Sequence, residues 1–119
     1  MPVGLPGVLG GAPLQEPANN PTLVADAPFV IPAGSAVYSS VPTAPRAWTL
    51  PLLADVAPGT VIGVKNNSAG ANAITVSGAG TDLVNDAGAP GSLAIAQAGR
   101  AFFFARRAVG AVAASWVSL

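Results

Sequence analysis

From Thr60 to Gly78 the chain reads TVIGVKNNSAGANAITVSG, with apolar positions alternating with small or polar ones at both ends. Ile62 and Val64 fall on one side of an extended chain, Gly63 and Lys65 on the other. Ile74 and Val76 oppose Thr75 and Ser77 in the same way. A period of two in β-branched residues marks a strand with one buried face. Between the two runs lies Asn66-Asn67-Ser68-Ala69-Gly70-Ala71-Asn72. Asn and Gly accept positive φ, and Ser and Asn side chains bond their own backbone, so this run favours a turn. The stretch predicts a β-hairpin whose apolar face the rest of the chain must cover, since a lone hairpin is marginal in water.

The same alternation predicts strands over Ser35–Val41, Arg46–Leu50, Thr81–Asn85, Ser92–Ala96, Arg100–Arg107 and Ala111–Leu119, with Pro or Gly punctuating the joints. Thr22–Ala33 offers two short extended pieces around Pro28. Pro51–Gly59 reads as a helical turn or a loop. About eight short strands at near-regular spacing, without a visible internal repeat, predict an all-β chain: one small β-sandwich or barrel-like domain, jelly-roll-like, over 34–119.

Residues 1–33 are expected to form an extended N-terminal arm. Its first part, MPVGLPGVLGGAPLQEPANNP, has no period that would fold alone, yet carries Val3, Leu5, Val8, Leu9 and Leu14. Either these are incidental to a flexible leader, or the segment lies in a groove of a partner, where proline lowers the cost of ordering. Uncovered apolar leaders aggregate, which favours the partner-binding arm.

Composition sharpens this picture. Of 119 residues, 51% are apolar and only 8% charged, where about 25% charged is usual in soluble domains. So neutral a surface points to subunits that cover one another, and a homo-oligomer is expected. Five basic residues balance five acidic ones; without a basic stripe, nucleic-acid binding is not expected. There is no histidine and no cysteine, which removes the commonest general base, the thiolate nucleophile and most transition-metal sites. The first basic residue is Arg46, too late for a secretory signal, and the longest uncharged run, 27–45, is broken by four prolines. Neither a secretory signal nor a membrane span is expected.

From Trp48 onward the order of motifs resembles a β-rich module of tailed-bacteriophage structural proteins. The residues that carry the likeness are Thr49-Leu50-Pro51, Pro58-Gly59-Thr60, Lys65-Asn66 before an Asn/Gly turn, Asp82, Gly99 and Trp116. Ala108-Val109-Gly110-Ala111 departs from the polar turn usual before the last tryptophan. The resemblance implies a virion protein assembled in the host cytoplasm, most simply a capsid decoration (cement) protein. It would grip the major capsid protein or other virion subunits through its arm and, as a homotrimer, stabilise the head. A tail fibre, spike or baseplate component is the alternative within the same resemblance. A small carbohydrate-binding or adhesin module is the alternative outside it, and would require Trp48 or Trp116 to be exposed.

No catalytic constellation stands out. Asn85-Asp86 reads as turn chemistry, no Asp-x-Asp-x-Asp-Gly loop exists, and the serines lack a histidine partner. A non-enzymatic protein without cofactor or metal is expected. Candidate functional residues are therefore contact residues: Val3, Leu5, Val8, Leu9 and Leu14 on the arm, and Phe103, Arg106 and Arg107 at an oligomer interface. In RAFFFARR, Phe102 and Phe104 share one face and Phe103 takes the other, so one of the two faces is available to a second subunit.

Overall fold

The computed structural model describes residues 21–119. The partner-binding arm residues Val3, Leu5, Val8, Leu9 and Leu14 lie outside the described residues. Ten strands follow in order: β1 Thr22–Leu23, β2 Phe29–Val30, β3 Ala36–Ser40, β4 Arg46–Thr49, β5 Val61–Asn66, β6 Ile74–Ser77, β7 Leu83–Val84, β8 Ser92–Ile95, β9 Arg100–Arg106 and β10 Ser115–Ser118. One 3-10 turn, Leu53–Asp55, sits in the loop before β5.

The strands form a sandwich of two sheets. The six-stranded sheet has the order β1-β3-β5-β9-β10-β7, and the four-stranded sheet β2-β4-β6-β8. The class is all-β, as the alternation requires, but the pairing is mixed rather than the antiparallel pairing of a jelly roll. β1, β3 and β5 run parallel in one sheet while β2, β4 and β6 run parallel in the other. The chain therefore crosses the sandwich three times as an arch, β1 to β2, β3 to β4 and β5 to β6, and stacks each arch on the last. β8 and β9 close the stack by running antiparallel to β6 and β5.

This arrangement corrects the predicted hairpin. β5 and β6 do not pair; they lie in opposite sheets. Ile62 and Val64 face Ile74 and Val76 across the interior, and all four are buried. Alternation specifies that each strand has a buried face. It does not specify which neighbour completes the hydrogen bonds, and an arch buries both apolar faces against each other, where a hairpin would leave them side by side. The arches form a structural repeat that the sequence hides, because equivalent positions such as Thr22, Tyr38 and Val64 are unequally spaced along the chain.

Buried polar groups hold the arches in register. Asn66, fully buried, donates to the carbonyls of Asn72 (2.7 Å) and Ile95 (2.8 Å) and accepts the Ser68 N–H (2.9 Å). The Ser68 hydroxyl donates to the Pro42 carbonyl of the previous arch (2.9 Å). Ser40 donates to the Val24 carbonyl of the arch before (3.0 Å). A buried polar group is tolerated when its partners are supplied, and here the partners are the backbone groups that an arch leaves unpaired.

The domain also begins earlier than the sequence suggests. Thr22–Ile31, placed in the arm by the sequence reading, supply the first arch. Phe29 packs edge-on against Tyr38 (5.4 Å between ring centroids) and Trp48 (5.2 Å), and Ile31 is buried. Proline at 28 had suggested a break; it falls between the two strands, at the bend of the arch.

Candidate functional site

The aromatic run on β9 decides which surface is available. Phe103 points inward and is 0% exposed, packed in the core with Ile62 and Trp116. The sequence reading placed Phe103 at an oligomer interface, and burial corrects this. The outward residues are Phe102, 37% exposed, and Phe104, half-buried. The signal was present in the sequence: Phe102 and Phe104 share their phase with Arg100 and Arg106, and a face that carries guanidinium groups belongs to the outside of a small sandwich.

Register places a connected apolar surface around Phe102. Val37, Gly63 and Phe102 align across β3, β5 and β9, and Leu119 extends the row by exchanging backbone hydrogen bonds with Phe102. Val61, Phe104 and Val117 form the neighbouring row. Gly63 makes the first row continuous. A Cβ there would meet the Phe102 ring at 2.8 Å and the Val37 side chain at 3.2 Å, so the ring lies over the glycine backbone. Sequence reasoning missed Val37, Gly63, Phe102 and Leu119 as a group, because only the register brings them together.

One border of this surface is cationic. Lys65 and Arg100 are direct cross-strand partners. Among the described residues the ion pairs are Asp26 with Arg46 (2.7 Å) and Asp86 with Arg106; neither Lys65 nor Arg100 takes part. Among the described residues, Lys65 Nζ donates to the Ala98 carbonyl and to no carboxylate.

The two remaining interface candidates separate. Arg106 is engaged within its own chain: its guanidinium bridges both oxygens of Asp86 and donates to the Ala113 carbonyl (2.8 Å). That contact holds the Asp86 carboxyl below its ordinary range. Arg107 is exposed beside a shallow apolar depression formed by Leu53, Val56, Pro58 and Ala114. Asp82 borders the same depression, but its carboxylate already accepts the Leu53 N–H (2.8 Å).

Asp26 ties the first arch to the second. It accepts from Arg46 Nε and from both the N–H and hydroxyl of Thr43. The Arg46 hydrogen bond, then that of the Thr43 side chain, lowers its pKa from 3.8 to about 2.

Trp48 and Trp116 are both buried in the core, and their indole N–H groups find no partner among the described residues. Neither ring is available as a platform for sugars, which overturns the feature that the carbohydrate-binding alternative required. Asn85 and Asp86 both adopt positive φ in the loop after β7, consistent with their turn role. Among the described residues no group of three or more His, Cys, Asp or Glu side chains could hold a metal ion. In comparisons with protein-family models, with curated proteins and with solved structures, nothing matches this chain.

Proposed function

We propose that the chain is a structural, adhesive protein of a tailed-phage virion: a head decoration protein that binds the outer surface of the capsid. The observation that carries this reading is the connected apolar surface on the outer face of the six-stranded sheet. A surface of that kind does its work by being covered. The resemblance of the motifs from Trp48 to Trp116 to phage β modules supplies the class of partner, major capsid subunits, and the expectation of a trimer on the particle.

The mechanism is mechanical. The stacked arches give a body in which the buried Ser40, Asn66 and Ser68 side chains bond the backbone of neighbouring arches, and the apolar N-terminal segment spans neighbouring capsid subunits and resists their separation. Removing Met1–Asn20 weakens binding to undecorated capsid shells at least tenfold, about 1.4 kcal/mol. Cosedimentation of the chain with shells measures this. Equal binding of the shortened and full chains, or no binding of the full chain to shells, overturns the assignment.

A further inference from the structure

We infer that in the free chain residues 1–20 lie over the outer face of that chain's own six-stranded sheet. The surface comprises Val37, Val61, Phe102, Phe104, Val117 and Leu119, with Gly63 at its centre. The inference concerns the chain before any assembly and does not depend on the virion assignment.

Size argues for a segment as the occupant. With strands about 4.8 Å apart, a patch across four strands and two rows covers on the order of 300 Å². A specific interface between two folded subunits takes roughly 800 Å² from each partner. By itself the patch is therefore small for a stable interface with a second free globule, and in the free chain it matches one extended stretch of polypeptide.

Charge says which segment. Residues 1–20 carry Val3, Leu5, Val8, Leu9 and Leu14 and a single charged side chain, Glu16. The patch is apolar and bordered by Lys65 and Arg100, like charges directly opposite one another, an unfavourable pairing unless an anion joins them. One carboxylate at the end of an apolar segment complements that border.

Reach completes the case. The chain enters the sheet at Thr22 on β1, and Leu23, Ser39, Lys65 and Arg100 form one row across it. Lys65 is two strands from β1 and Arg100 three, or about 10 and 14 Å. The chain from Glu16 to Thr22, extended, spans roughly 20 Å. Glu16 is therefore within reach of both cations from its own chain, and the proposed docking would lay the apolar residues before it over the Gly63–Phe102–Leu119 row. If the protein is a decoration protein, this docking keeps the segment soluble until a capsid offers it a larger surface.

The chain has no cysteine, so a pair introduced into the full-length protein reports its own proximity. Glu16→Cys with Lys65→Cys is expected to form an intramolecular disulfide under mild oxidation, at least tenfold faster than Glu16→Cys with Thr75→Cys on the other sheet. A bridge requires Cα atoms within about 7 Å. Equal rates for the two pairs, or bridges only between chains, overturn the inference. A second readout needs no cysteine: Lys65→Glu should raise the fluorescence of an apolar-surface dye several-fold, and adding Glu16→Lys should restore the original signal. Unchanged fluorescence in Lys65→Glu, or no recovery in the double variant, overturns it equally.

Discussion

The outer face of the four-stranded sheet carries Val30, Thr49, Ser77 and Ser92 in one row and Ala47, Thr75 and Ala94 in the next, so its large apolar side chain in these rows is Val30 on the edge strand β2. The outer face of the six-stranded sheet carries Val37, Phe102 and Leu119 in one row and Val61, Phe104 and Val117 in the next. Inward, the two sheets are alike, with Trp48, Ile74 and Val76 beneath one and Trp116, Ile62 and Phe103 beneath the other. The contrast teaches where to look for function in a protein that lacks catalytic residues. Small and hydroxyl side chains hydrate readily, and a single exposed valine at an edge makes no connected patch, so the first face gains less from a partner. Large apolar side chains in a connected patch lose free energy in water at roughly 25 cal/mol per Å², so the second face is stabilised by being covered.

The largest expected effects test the likeness of the interiors. Trp48→Ala and Trp116→Ala should each cost about 3–5 kcal/mol, as truncation of a buried aromatic does. Urea unfolding of the two variants checks this. A loss below about 1 kcal/mol in either would put that indole at the surface and make the two sheets unlike inside as well as out.

Next comes a test of the outer contrast. Gly63→Ala places a methyl group 2.8 Å from the Phe102 ring. Overpacking costs about 1–3 kcal/mol, more than the roughly 0.4–1 kcal/mol gained by stiffening the unfolded chain. The variant should therefore be destabilised by about 1 kcal/mol, and much of this should vanish in the Phe102→Ala background, where the ring is absent. Thr75→Ala on the other face should stay within about 0.5 kcal/mol. If Gly63→Ala is neutral, or equally harmful with and without the ring, Phe102 does not lie over Gly63.

These residues also show how far the sequence could be read. The strand positions and the phase of Ile62, Val64, Ile74 and Val76 were legible, because alternation is a local property of a half-buried strand. For Pro51–Gly59 the sequence left a helical turn or a loop open, and the chain forms the short 3-10 turn Leu53–Asp55 there. Sheet membership was not. Whether β5 joins β6 or β3 depends on arches closed by Asn66, Ser68 and Pro42, contacts between residues far apart in the chain. The apolar surface was legible only in part: FFF announces that one face has a companion, but its extent depends on Gly63 lying under Phe102 and on Leu119 pairing back to β9. A triple aromatic does not by itself say which of its faces is inward; Phe103 is buried because Phe102 and Phe104, not Phe103, share the phase of Arg100 and Arg106.

The smallest expected effect is a dependence on pH. Among the described residues each sheet carries one ion pair: Asp26 with Arg46 on β4, and Asp86 with Arg106 on β9. Both carboxyls titrate below their ordinary range, Asp26 at about 2 because of its hydrogen bonds to Arg46 and Thr43, and Asp86 because of Arg106. A group whose pKa is lower folded than unfolded contributes stability above its unfolded pKa and loses it as pH falls through the folded one. For Asp26 that window runs from about 3.8 down to about 2. Because both pairs are exposed, solvent and salt screen them and the loss should be modest. The two carboxyls differ in what they hold. Asp26 joins the β1–β2 arch to the loop before β4 and to β4 itself, whereas Asp86 fastens a loop to β9. Acid should therefore loosen the first arch before the rest of the sandwich. Amide hydrogen exchange at pH 5 and at pH 2 measures it: protection of Val24 and Ile31, whose N–H groups bond the Ser39 and Thr49 carbonyls, should fall more than protection of β5 and β9. In Asp26→Asn the selective loss should disappear, with protection of the first arch already reduced at pH 5. If the variant and the parent lose protection in parallel between those pH values, Asp26 does not hold the first arch in place.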